Sequence, residues 1–324
     1  MGRSGTTLLA KILDSSPNVI YRHEPDFTNI NTEIPFLPKS DDNQLYVSKA
    51  ETYLCELTRQ CDAKTSGTRP IFPKTFRSGF GNYAFTISVL AAKVLSRVGI
   101  SVNVPDFVID TEKAVYVVKS VNSLCRTELF LNAMTGIRVL HIIRHPCAVI
   151  ASQLRGIKKG VMKDQPYIDA LFDSGIADGY GVERESVKQK PFEEQLAFQW
   201  MAMNNFVFTR LNQDHRYMPI YYEQLCIDVL ETTRSLFSFS GVEWSTQTDA
   251  FLHHLMGYEN RDSGYFSIKK NLSSSLFNWR TELSEERIMG IKEIIKETSV
   301  GRQVLTHERQ IENSGGNQEK NTGN

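Results

Sequence analysis

Two short apolar runs limit what this chain can fold into more than any other feature. Val115–Lys119 (VYVVK) and residues 139–144 (VLHIIR) are β-branched, almost wholly apolar and flanked by polar sequence. Runs of this kind suit strands covered on both faces, as in a parallel sheet, and each ends in a cation, Lys119 or Arg144. Residues 219–222 repeat the pattern more weakly. Helical spacing fills the intervals at residues 8–13, Phe192–Leu211, 228–240 and 284–297. Gly241 is placed to stop the third of these, and Ser284 with Glu285 and Glu286 is placed to start the fourth. Strands alternating with helices predict an α/β layered domain.

No repeat or linker divides the 324 residues, so a single domain over residues 1–305 is expected. Segments 27–73 and 156–191 lack regular patterning and are expected to form lids and substrate walls near strand ends. Residues 306–324 carry almost no apolar side chains and are expected to be a disordered tail. Thirty-seven Lys and Arg balance 37 Asp and Glu, which removes a global pull toward nucleic acid or anionic lipid; an anion site must be local. The most apolar stretch, 88–100, is interrupted by Lys93 and Arg97, so no membrane segment is expected. The opening MGRSGTTLL has no signal-peptide core. Cys55, Cys61, Cys125, Cys147 and Cys226 lack metal-site spacing and are expected to be reduced thiols, with no metal bound.

Chemistry concentrates in two segments. Gly2, Arg3, Ser4, Gly5, Thr6 and Thr7 precede the first helical stretch. Glycines let the backbone curl around an anion, hydroxyls and helix-start N–H groups supply donors, and Arg3 supplies charge. The loop differs from a Walker A sequence, which needs a Lys beside its Ser/Thr. In the second segment a strand delivers Arg144, Pro146 opens the next helix, and Ser152 follows on it. An Arg and a Ser there can hold a second phosphate, whereas a P-loop kinase would want an acidic magnesium ligand at that strand end.

Together these segments resemble the donor motifs of the sulfotransferases that use 3′-phosphoadenylyl sulfate (PAPS), and most of all the carbohydrate sulfotransferase branch. His23-Glu24-Pro25 after Ser16-Pro17-Asn18-Val19 is similar to that branch's "HPDV…EP" segment. Tyr221 to Leu225 and Asn271 to Arg280 with Leu283 resemble its later motifs. The resemblance implies a P-loop NTPase-like three-layer fold with a central parallel sheet, and sulfuryl transfer from PAPS to a hydroxyl, less readily an amine, of a carbohydrate or glycoconjugate. It implies Arg3, Ser4, Gly5, Thr6 and Thr7 around the 5′-phosphosulfate, Arg144 and Ser152 at the 3′-phosphate, and Lys270 near the donor phosphates. Glu24 takes the role of base, with Lys119 as electrostatic helper; Lys119-Ser120-Val121 departs from the Lys-Thr-His of the cytosolic branch, which excludes a His base there.

In the family a parallel strand precedes the phosphate loop, and only Met1 precedes Gly2 here, so the first strand of the sheet is expected to be missing. Its neighbours should then lack ladder partners, with low stability and weak donor affinity. The lone sequon at Asn271 coincides with a candidate site motif and leans toward a cytoplasmic protein; a lost N-terminal anchor would instead imply the Golgi membrane. Two other readings stay open: a P-loop kinase, and an inactive nucleotide-binding or scaffold protein. His141 is read as a core residue and Trp279 as packing, while Arg155, Lys158 and Lys159 could meet an anionic acceptor.

Overall fold

A computed structural model describes residues 2–39, 43–110, 112, 114–163, 165–257 and 276–321, with side chains through 313. The apolar runs form strands as their composition requires: β1 (Val19–His23), β2 (Val115–Lys119), β3 (Val139–Ile143) and β4 (Tyr217–Tyr221). β1 pairs in parallel with β2, Val19 opposite Val115 and His23 opposite Lys119. β3 pairs in parallel with β4, Val139 opposite Tyr217 and Ile143 opposite Tyr221.

α1 (Thr6–Asp14) leads into β1. Between β1 and β2 lie α2 (Pro25–Thr28), α3 (Asn43–Arg59) and α4 (Gly79–Arg97); α5 (Thr127–Ala133) precedes β3. The crossover from β3 to β4 holds α6 (Pro146–Lys158), α7 (Ile168–Asp173), α8 (Arg184–Lys188) and α9 (Phe192–Leu211). After β4 come α10 (Tyr222–Ile227), α11 (Val229–Ser240) and α12 (Thr246–Met256), and then α13 (Trp279–Glu282), α14 (Glu285–Ile295) and α15 (Ser299–Asn321).

Strand periodicity decides which side chains meet which helices. Val19, Tyr21, Ile142 and Ile220 join Leu8, Leu9, Ile12 and Leu13 of α1 in one apolar cluster that spans both strand pairs. Ile143 and Tyr217, on the opposite face, pack against Trp200, Met203 and Val207 of α9. Helices thus cover both faces, giving the three layers of an α/β fold. Among the described residues the strands form two two-stranded sheets, and no third strand bonds β2 or β3.

Three sequence expectations need correction. Segment 27–73 contains α3, whose Ala50, Tyr53 and Leu57 form a buried stripe at helical spacing; interleaved polar residues diluted the pattern. Segment 156–191 holds the short helices α7 and α8. The stretch from 306 is helical through Asn321, and Glu308 is buried. Its order comes from partners elsewhere in the chain, and composition alone does not register those. His141 is a satisfied core residue, bonded to Tyr217 Oη (2.7 Å) and Asn204 Oδ1 (3.0 Å). Trp279 is buried.

Candidate active site

In parallel α/β sheets ligands gather at the carboxyl ends of the strands. Here those ends present His23 and Glu24 after β1, Lys119 and Ser120 after β2, Arg144 and His145 after β3, and Tyr222 and Glu223 after β4. The loop before α1 touches the last two ends.

Arg3 and Gly5 are both left-handed, at φ 69° and φ 89°, so the chain coils tightly into α1, whose N-terminus carries no side-chain cap. Its first N–H groups therefore point to a ligand or to water. Ser4 is buried beneath the loop, while Thr7 and Arg3 are exposed. Arg3 Nε donates to Ser152 Oγ on α6 at 2.8 Å, across 149 residues of sequence. Arg144 Nη1 donates to the Arg3 carbonyl at 3.2 Å, and its guanidinium lies 4.4 Å from the Tyr222 ring centroid. Arg144 Nε is buried, and among the described residues it has no hydrogen-bond partner. Sequence reasoning linked the Arg3 loop with Arg144 and Ser152; it placed Tyr222 only within the Tyr221 to Leu225 motif and did not foresee it as the ring that floors the loop.

The second group lies at the ends of β1 and β2. Glu24 caps the short α2 with φ 46° and ψ 49°, and its N–H donates to the Lys119 carbonyl at 2.8 Å. This strained left-handed backbone turns the carboxylate onto Lys119 Nζ, which bonds Glu24 Oε1. Among the described residues no donor reaches Glu24 Oε2. Burial pushes the Glu24 pKa up, but the Lys119 hydrogen bond and charge outweigh it and hold the carboxyl below its usual range. His23, beside it, is lowered to about 4, chiefly by burial and then by Lys119, and shares a 2.6 Å hydrogen bond with Tyr21 Oη through Nδ1. Around neutral pH the pair is therefore a carboxylate beside a neutral imidazole. Asp26 accepts from Ser120 and from Ser123 (2.9 Å), tying α2 to the end of β2.

The structure brings Arg3 to Ser152 and Arg144, and Glu24 to Lys119, but no hydrogen bond or ion pair among the described residues joins the two groups. Lys270 and Asn271 lie outside the described residues. Arg155 is engaged by Glu282. His145 is fixed from two sides: its N–H donates to Glu223 Oε1 at 3.0 Å, and its ring stacks on Trp279 with centroids 4.7 Å apart. Behind it stands Glu308 of α15, 3.4 Å from His145 Nε2, 2.8 Å from Lys292 and 3.0 Å from Arg280. Burial opposes ionisation of Glu308, yet His145 and Lys292 hold its pKa at about 2. Sequence reasoning missed Glu308 because it sits in the polar stretch read as a tail.

These features define an α/β protein of the P-loop NTPase-like class in which the loop before α1 meets the strand ends. The family model for the sulfotransferase family matches residues 1–246, and the chain belongs to that family. No curated protein matches the chain significantly. Among solved structures it is similar to the sulfotransferase domain of the Synechococcus PCC 7002 olefin synthase, at 14% identity over 90% of each chain, with a TM-score of 0.42. It is also similar to sulfotransferase STF9 from Mycobacterium avium, at 11% identity over 92% of this chain and 74% of that one, TM-score 0.40. The sulfotransferase domain from the curacin biosynthetic pathway shares 13% identity over 95% and 94% of the chains, TM-score 0.40. No described helix is long and apolar enough to cross a membrane.

Proposed function

We propose that this sulfotransferase uses PAPS as donor and sulfates a hydroxyl of a carbohydrate or glycoconjugate. The observation that carries the donor assignment is the Arg3 to Ser152 contact with Arg144 beside it, because it gathers two cations, hydroxyls and an open helix N-terminus at one point. The unpartnered Arg144 Nε supports the fit, since a phosphate oxygen would satisfy it. Arg3, Ser4, Gly5, Thr6 and Thr7 would hold the 5′-phosphosulfate, and Arg144 and Ser152 the 3′-phosphate, with Lys270 an added donor contact.

In the reaction the acceptor oxygen forms a bond to sulfur as the bond from sulfur to the 5′-phosphate oxygen breaks. Glu24 Oε2 takes the acceptor proton while Oε1 stays on Lys119 Nζ, which keeps the carboxylate aimed. Negative charge collects on the departing phosphate, where Arg3 and the α1 N–H groups stabilise it. Adenosine 3′,5′-bisphosphate is the co-product. Calorimetric titration of adenosine 3′,5′-bisphosphate without metal, with ATP-magnesium as competitor, tests the donor assignment. Tight binding that ATP does not displace supports it; displacement by ATP would favour a nucleotide kinase.

A further inference from the structure

The exposed side of α4 carries Phe80, Tyr83, Ile87, Leu90 and Val94, which are between 43% and 79% exposed. Their spacing alternates three and four residues, the pattern by which two helices interlock. The helix itself is firmly built: Ser78 Oγ accepts from Gly81 N–H (2.9 Å), and Phe85, Val89 and Ala92 bury the opposite face against Val104. No charged residue occurs from Gly79 to Ala92. With Val98 and Ile100 just beyond the helix, the stripe offers on the order of 700 Å² of side chain. That exceeds the few hundred Å² usual for a monomer's apolar patch and approaches the ~800 Å² each partner gives to a standard interface.

We propose that this stripe is where two copies of the chain meet, α4 against α4 in antiparallel orientation about a two-fold axis. A two-fold contact needs a self-complementary surface, and an uncharged stripe with regular spacing is one. The antiparallel sense follows from Arg97, the exposed cation at the C-terminal end of α4. A parallel pair would set it beside its own copy. With the axis between Ile87 and Leu90, antiparallel packing sets Ile87 against Leu90, Tyr83 against Val94, and Arg97 near the partner's Phe80 ring, a favourable cation and π arrangement. Ala84 and Ala91 flank the stripe and leave room for close approach.

Sedimentation equilibrium on the full chain should show a concentration-dependent dimer. Ile87→Lys and Leu90→Glu should each raise the dimer dissociation constant at least 100-fold while leaving the circular dichroism spectrum unchanged, because both side chains face outward. Mixing the two variants should restore a one-to-one dimer, since only the antiparallel pairing sets Lys against Glu and Leu against Ile. A wild type that stays monomeric at 100 μM, or a dimer that survives Leu90→Glu, overturns the proposal, and a mixture that stays monomeric overturns the antiparallel pairing. Binding of monomeric wild type to phosphatidylcholine vesicles, lost in Leu90→Glu, would assign the face to lipid instead.

Discussion

The Tyr222 ring fills the space a side chain at Gly5 would need: a Cβ built on Gly5 falls 2.1 Å from Tyr222 Cδ2. The loop before α1 and the residue that follows β4 are thus one packed unit, and Arg144 lies on the same ring. Gly5→Ala meets both that contact and the left-handed φ of 89°, which by itself costs about 1–2 kcal/mol. Donor affinity should fall at least tenfold. Gly5→Ala with Tyr222→Ala should recover the steric share and keep the conformational one, so a double-mutant cycle on nucleotide binding separates them; strict additivity would contradict the packing argument.

Glu24→Gln should lower kcat by roughly 100-fold or more while changing donor affinity by less than about threefold, as expected for loss of a base. Equal losses in a folded variant would remove Glu24 from that role. Because Lys119 holds the Glu24 pKa below its usual range, the base form is already complete at neutral pH. The rate limb due to Glu24 should therefore appear only on the acid side, below about pH 4.5. A limb centred near pH 6.5 would contradict the Glu24 assignment, and it would not come from His23, which burial and Lys119 lower to about 4.

Arg144→Ala should weaken binding of adenosine 3′,5′-bisphosphate by about 10- to 100-fold, the worth of charge-assisted hydrogen bonds of roughly 1.5–3 kcal/mol. Binding of adenosine 5′-monophosphate, which lacks the 3′ group, should change much less. Equal losses for both ligands would place Arg144 elsewhere on the donor.

Asp14 closes α1 with two buried cations: Lys11 Nζ at 2.8 Å and Lys74 Nζ at 2.9 Å. Asp14→Asn strands them and should cost about 3–5 kcal/mol in denaturant unfolding. Burial raises the Asp14 pKa, but the two lysines overcome it and leave it lowered. A lowered folded-state pKa makes its contribution fully present above the unfolded value and lost as pH falls through the folded one. Wild type should accordingly lose stability on acidification below about pH 4, and the Asn variant should lose less over that window.

Local rules made much of this visible beforehand. The apolar runs ending in Lys119 and Arg144 are strands, Ser284 and Asp228 accept from N–H groups three residues on, and Gly241 ends α11 with φ 68°. Arg3, Arg144 and Ser152 meet where the loop before α1 reaches the end of β3 and the side of α6, a convergence that the resemblance to donor motifs implied. The Glu24 to Lys119 pair was legible only as two separate residues, since a left-handed φ at a Glu leaves no trace in composition. α3 hid because its buried positions are few, and α15 because its order rests on distant charges.

Glu308 lies far down the chain from the His145 it braces, and protein chains emerge from the ribosome N-terminus first. Until α15 has been released, Lys292 and Arg280 lack this shared counter-charge, His145 lacks its neighbour, and the corner that carries Arg144 has no backing. Completion of the Arg144 corner is thereby tied to the synthesis of α15, so a chain stopped short in that helix would carry every motif residue yet remain unfinished where they meet.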